Sequence, residues 1–238
     1  MPLDTLTAPA KLTLSLRITG VRDDGYHLID AEMVTLDLAD MLHVEAGGGV
    51  VVEGAGGIDP DDNLITRALA LAGRTARVIV TKRSPPGAGR GGGSADAAAS
   101  LRWSGYADVE RAAQLGADVP FCLVGGRARV RGIGELVEPL EHISRTLTLL
   151  IPPFGCSTPA VYRRWDEMGG PKWANGNDLE PAALDVAPGL DRYRQALEQA
   201  TGQRARLAGS GSTWFVEGAY PGDGLIVART VPAVSSPA

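Results

Sequence analysis

The chain has 238 residues, 44% of them hydrophobic and 21% charged, with a formal net charge of −5. That composition suits one large globular domain, or two closely joined small ones, with a sizeable core. The acidic balance argues against non-specific nucleic-acid binding, which needs Lys and Arg to displace phosphate counterions, but not against an anion held by backbone N–H groups.

Cys122 and Cys156 stand without a CxxC or Cys/His cluster and read as reduced cytosolic thiols, not as a zinc site. No apolar run approaches the ~18 residues of a membrane span, and MPLDTLTAPAK lacks an apolar signal core, so the expected location is the cytoplasm. In chain order, residues 10–18 alternate, with Leu12, Leu14, Leu16 and Ile18 on one face and Lys11, Thr13, Ser15 and Arg17 on the other: a half-buried strand. A polar turn over 19–25 precedes two further expected strands, 33–38 and 41–45, and 47–60 reads as a glycine-rich loop. Asp62 is placed to cap a helix that runs through Ala72 and ends at Gly73. Residues 77–81 are a short β-rich run, followed by a glycine-rich stretch over 85–94 and an alanine-rich helix over 95–103. A short helix over 109–115 stops at Gly116, and 119–124 and 128–130 read as strands. Residues 146–151 form a strand after a charged, loop-like stretch, which places a domain boundary between 1–145 and 146–238. Thr158 and Pro159 read as the cap and first turn of a helix to Met168, and a second helix over 191–201 closes at Gly202. Strands over 204–207 and 213–217 flank a tight turn at 208–212, and 225–229 is a last short strand. The mixed order predicts an α+β fold and not a regular βαβ alternation.

Of the eight residues from Gly87 to Ser94, five are glycine and one is serine. Such a run lets the backbone approach a ligand and turn several N–H groups inward, and the following helix brings its N-terminal dipole to the same place: a phosphate cradle. Ser94 adds a hydroxyl for a phosphate oxygen or Mg²⁺. A flexible linker is the plainer reading, which the β-rich and alanine-rich flanks oppose. Walker A fails, because no Gly-Lys-Ser/Thr follows. Gly87, Gly89 and Gly92 satisfy GxGxxG with Asp108 at the spacing of a ribose contact, so a dinucleotide reading stays open, although Pro85 and Pro86 interrupt it and no hydrophobic strand ends at Asp108.

The segment KRSPPGAGRGGGSADAA (82–98) resembles the ATP-phosphate loop of the GHMP kinases. APAKLTLSLRITGVRDDGYH (8–27), GADVPFCLVGG (116–126) and LAGSGSTWF (207–215) agree with that superfamily in order. GYH, GADVPF, DNLITRA (62–68) and NDLEPAAL (177–184) resemble its diphosphocytidyl-methylerythritol kinase branch, so the likeness spans nearly the whole chain. It implies a two-domain GHMP-kinase-like fold: an N-terminal ATP-binding domain with a mixed sheet and helices, and a smaller C-terminal α+β substrate domain. It also implies phosphorylation, with ATP and Mg²⁺, of the 2-hydroxyl of a cytidine-diphosphate methylerythritol on the non-mevalonate route to isoprenoid precursors. Nucleotide contacts are implied at Pro86, Gly87, Ala88, Gly89, Arg90, Gly91, Gly92, Gly93 and Ser94, with Asn63 nearby.

Phosphoryl transfer needs a held γ-phosphate, charge stabilisation and an oriented hydroxyl. A positioned Asp118, expected at the edge of an apolar strand, can accept the substrate proton, and Lys11 can keep it ionised and neutralise the moving phosphoryl. Taken singly, Lys11 reads as a solvated strand lysine and Asp118 as a helix or turn cap; the resemblance pairs them. Tyr26 can stack on a pyrimidine and His27 can hydrogen-bond its polar edge; the resemblance places both in a cytidine pocket, with Tyr162 stacking from the other side. Tyr162 reads equally as a helix-surface residue covering core, and His43 and His142 carry no motif. Substrate-binding Thr13 stands where the branch has Asn, Ala95 where it has a second Ser, and Arg90 where it has Leu. These departures leave open a non-catalytic nucleotide-binding relative, and a GHMP kinase acting on homoserine, mevalonate or a sugar is the other alternative. The chain also looks shorter than the branch pattern at 101–115 and 217–224. A missing helix at the second place would bare a sheet face, so a homodimer through that sheet is expected.

Overall fold

A computed structural model describes residues 4–53, 63–82 and 92–233. Its frame is a long antiparallel hairpin of β1 (Asp4–Val21) and β2 (His27–Glu45). Gly25, at φ 85°, turns the chain between them, and Arg22 N donates to Tyr26 O at 2.8 Å. The two strands expected within 33–45 are thus one continuous strand. Register shifts fall between Pro9 and Lys11, Thr13 and Ser15, and Ile18 and Gly20. An extra residue in a strand reverses the faces of the residues beyond it. Leu12 and Leu14 therefore join one buried cluster while Leu16 and Ile18 join another, against the single apolar face that simple alternation suggests.

Residues 49–53, expected within a loop, form β3 (Gly49–Glu53), which runs parallel to β4 (Arg77–Thr81). Helix α1 (Leu64–Leu71) lies between them; its cap is Asn63, which accepts from Ile65 N, while Asp62 lies outside the described residues. Helix α2 (Gly92–Trp103) begins within the glycine run, earlier than expected, and every residue from Ala95 to Leu101 is buried. Its small side chains let neighbouring elements close around it on all sides.

After α3 (Val109–Ala112), residues 119–124 form helix α4 (Val119–Val124), not a strand. The β-branched and aromatic content of VPFCLV favours a strand, but Pro120 sits in the first turn, where its missing N–H costs nothing and its fixed φ starts a helix. Cys122 N then donates to Asp118 O and Gly125 N to Phe121 O. Strands β5 (Arg127–Gly132), β6 (Leu136–Leu140) and β7 (Thr146–Leu150) follow, then α5 (Thr158–Glu167), α6 (Glu180–Val186) and α7 (Leu190–Thr201). The chain ends in β8 (Arg206–Leu207), β9 (Trp214–Glu217) and β10 (Leu225–Val231). The sheet order is β3-β4-β2-β10-β7-β9-β8, with β1 on β2 and β5 joining β2 to β6. Strand β10 pairs with both β2 and β7, so hydrogen bonding runs from the first half of the chain into the second.

One face of the strands from the second half of the chain is packed. Leu147, Leu149 and Phe215 are each 0% exposed, clustered with Leu12, Leu14, Val34 and Leu36 of the central hairpin. The Arg206 guanidinium lies over the Phe215 ring at 4.6 Å. The bulged hairpin thus shares one buried cluster with these strands, while Val227 of β10 is 37% exposed. Among the described residues no helix is long and apolar enough to cross a membrane.

Candidate active site

Lys11 leaves β1 beside a register shift and is 5% exposed, not solvated. Its Nζ lies 3.1 Å from Asp118 Oδ2 and donates to Thr13 Oγ1 at 3.2 Å. Asp118 occupies the N-cap position of α4, yet its backbone is helical (φ −89°, ψ −13°) and its side chain caps nothing. The carboxylate is therefore left to face Lys11, at the head of a helix instead of a strand edge. Behind it, burial and then the Asp118 charge push the Cys122 thiol up to about 12, so that sulfur stays protonated.

The first residues of α2 meet the same region. A Cβ built on Gly116 would lie 4.0 Å from Ser94 Oγ, and one on Gly93 would lie 3.5 Å from Leu64 at the head of α1. The head of α1 thus lies beside the start of α2, and the start of α2 beside Gly116, two residues before the Asp118 that faces Lys11. Asn63 is among these residues, with its side-chain oxygen engaged 2.9 Å from Ile65 N. Of the phosphate-loop residues, Gly92, Gly93 and Ser94 are described, whereas Pro86, Gly87, Ala88, Gly89, Arg90 and Gly91 lie outside the described residues. Asp108 caps α3 by accepting from Arg111 N at 3.0 Å, so its carboxylate serves the helix and the dinucleotide reading loses its ribose ligand.

Beneath the head of α2 lies a charge cluster that sequence reasoning missed. Lys82 Nζ donates to Asp40 Oδ2 at 3.0 Å and to Asp96 Oδ2, and both carboxylates are 2% exposed. Burial pushes the Asp96 carboxyl up to about 6, outweighing the Lys82 charge that pulls it down. A Cβ on Gly92 would sit 3.6 Å from Lys82 Nζ and 3.7 Å from Asp40 Oδ2, so α2 starts directly on this cluster. The one available signal was Asp96, a charge inside an alanine-rich helix otherwise built for burial.

On the other side, His27 and Tyr162 come together with ring centroids 4.7 Å apart, and Trp165 presents its edge to His27 at 5.6 Å. His27 Nε2 lies 2.8 Å from Asp166 Oδ1, a partner the sequence did not suggest. Burial, and then the Asp118 charge, raise the Tyr162 hydroxyl. Tyr26 stands apart at the hairpin turn, 59% exposed beside Arg22. The turn over 208–212 closes the ring of elements. A Cβ on Gly209 would lie 3.6 Å from Thr13 Oγ1, and Ser210 Oγ lies 2.8 Å from Thr158 Oγ1 at the head of α5.

A buried lysine paired with Asp118 at the head of α4, with the glycine-led start of α2 nearby and this mixed sheet around them, fits a small-molecule kinase of the GHMP class. The whole chain superposes on a mevalonate kinase with a TM-score of 0.63 over 95% of this chain and 99% of that one; at 11% identity the likeness is one of fold. A solved 4-(cytidine 5'-diphospho)-2C-methyl-D-erythritol kinase is more similar, with a TM-score of 0.76 and 31% identity over 95% of this chain and 99% of its own. The 4-diphosphocytidyl-2-C-methyl-D-erythritol kinase of Paracoccus denitrificans is 41% identical over 232 residues, covering 87% of this chain and 84% of the relative. No protein-family model matches the chain. The chain belongs to the 4-diphosphocytidyl-2-C-methyl-D-erythritol kinase family.

Proposed function

We propose that this protein transfers the γ-phosphoryl group of ATP to the 2-hydroxyl of 4-diphosphocytidyl-2-C-methyl-D-erythritol. The observation that carries the reading is the Lys11–Asp118 pair, 3.1 Å apart with the lysine buried and the carboxylate 31% exposed. In this reading Asp118 accepts the hydroxyl proton as the oxygen bonds to the γ-phosphorus and the bond to the ADP oxygen breaks. Lys11, aimed by Thr13, lies against that carboxylate and offsets charge on the moving phosphoryl group. The head of α2, with Gly92, Gly93 and Ser94, holds the phosphates.

Mg²⁺ bound chiefly through phosphate needs only one or two protein oxygens, and no group of three metal-ligating side chains exists among the described residues. The Ser94 hydroxyl and the Asp118 carboxylate suit that role, in which the ion would neutralise phosphate charge. His27 and Tyr162 form the wall for the cytosine ring, with Tyr26 at its rim. Residues 1–145 serve the nucleotide and lend Thr13, Tyr26 and His27 to the acceptor, which 146–238 otherwise serve, in the cytoplasm. Asp118→Asn tests the reading, since an amide keeps the shape but cannot take the proton. The expected loss of turnover is about 10²–10⁴-fold with ATP-analogue affinity intact; turnover near that of the wild type would remove Asp118 from catalysis.

A further inference from the structure

Residues 177–180 take no part in phosphoryl transfer, yet Asn177, Asp178 and Glu180 are 2%, 0% and 3% exposed. Buried polar side chains persist where they are hydrogen-bonded, and their partners show what they hold. Asn177 Nδ2 donates to Leu207 O at 2.8 Å and to Gly209 O at 2.7 Å, while its Oδ1 accepts from Leu179 N at 3.0 Å. The same segment is tied to the catalytic strand: Leu16 N donates to Gly176 O and Asp178 N to Leu16 O, both at 2.9 Å. Asp178 reinforces the tie by accepting from Ile18 N and from Arg17. Glu180 accepts from Asn175, whose amide also reaches Ala205 O.

We infer that Asn177 is a positioning residue for the acceptor side of the reaction, fixing the 208–212 turn at its distance from Thr13. The inference rests on the reading that Lys11, Thr13 and Asp118 face the acceptor hydroxyl. The Gly209 carbonyl of the turn and the Leu207 carbonyl just before it converge on one amide group, whose chain neighbours Gly176 and Asp178 are bonded to Leu16 of β1. The turn is thereby registered against the strand that carries Lys11 and Thr13. Gly209 is the point of contact: a built Cβ would lie in van der Waals contact with Thr13 Oγ1 at 3.6 Å, and its φ of 61° disfavours any side chain there. From Gly209 the turn continues through Ser210 to Thr158, so a displaced turn misplaces the head of the helix that bears Tyr162. Among the described residues, no hydrogen bond joins α1 or α2 to Asn177.

The experiment compares Asn177→Ala, Asn177→Asp and Gly209→Ala in the full chain. It reads calorimetric affinity for a non-hydrolysable ATP analogue, kcat and KM for the cytidine-diphosphate acceptor, and amide hydrogen exchange. Analogue affinity is expected within about twofold of wild type while acceptor kcat/KM falls about 100-fold, the scale of a misplaced reacting group. Exchange should quicken at Ala208 and Gly211, whose N–H groups bond within the turn. Gly209→Ala, with Asn177 intact, should give the same split, and the double variant should be little worse than either single one. Unchanged acceptor kinetics in folded Asn177→Ala, or equal loss for nucleotide and acceptor, overturns the inference. If the Asn177 variants unfold, wild-type acceptor kinetics in Gly209→Ala overturns it. A wild-type chain that ignores this acceptor faults the substrate reading and not the clamp, which unaltered exchange at Ala208 and Gly211 in Asn177→Ala would then refute.

Discussion

Replacing Lys82 by Met should destabilise the protein far more than loss of a lysine usually does. The ammonium sits between Asp40 and Asp96, each 2% exposed, and its own side chain is 16% exposed. Methionine fills a similar volume but leaves two negative carboxylates without it. Breaking a buried pair in this way costs about 3–5 kcal/mol, a third or more of the total stability of an ordinary domain. Lys82→Met/Asp96→Asn should recover about half of that loss, because one of the two charges is gone. Asp96 binds its proton more tightly in the folded chain, its carboxyl standing at about 6 against the ordinary carboxylate value of about 4. Its contribution is therefore fully present below about pH 4 and lost as the pH rises through about 6, so the defect of Lys82→Met should be smaller at about pH 5 than at about pH 8. Urea unfolding at the two pH values measures this. A loss under about 1 kcal/mol at the higher pH would refute the reasoning, because a solvated lysine is worth no more than that. Since α2 starts on this cluster, ATP-analogue affinity should fall along with stability.

Asp178 predicts the opposite pH behaviour. Burial pushes its carboxyl up, but hydrogen bonds from Trp173 N, Arg17, Ile18 N and Lys172 outweigh burial and hold it below the usual range. Its contribution is thus present above about pH 4 and lost as the pH falls below, so Asp178→Asn should flatten the acid limb of a urea-midpoint profile, and an unchanged limb would contradict the assignment. His27→Ala should raise acceptor KM about tenfold and leave ATP KM alone, because a wall built for a polar base edge is left unpaired; steady-state kinetics with each substrate varied would show equal shifts if the wall is elsewhere.

The Lys11–Asp118 pair, and its proposed role, was legible because its residues sit in short motifs with strong local grammar: a lysine on a strand, an Asp before Val-Pro-Phe, and a glycine run before an alanine-rich helix. The backbone around Asp118 was misread. β-Branched and aromatic side chains in 119–124 favour a strand, but Pro120 and the room beside α2 made a helix. Register shifts in β1 carry no composition signal, and one of them sends Leu12 and Leu14 to a different core from Leu16 and Ile18. The Lys82–Asp40–Asp96 cluster joins three distant segments, and Asn177 acts through backbone carbonyls, which any residue can supply. Neither could be read from residue types along the chain.

The most direct test is to incubate the wild-type protein with ATP, Mg²⁺ and 4-diphosphocytidyl-2-C-methyl-D-erythritol and track phosphorus NMR of the mixture, with homoserine and mevalonate as parallel acceptors. The account predicts stoichiometric ADP and one new phosphomonoester on the 2-hydroxyl of the cytidine-containing acceptor, with neither of the other two consumed. No phosphomonoester on that acceptor, or faster transfer to homoserine or mevalonate, would contradict it.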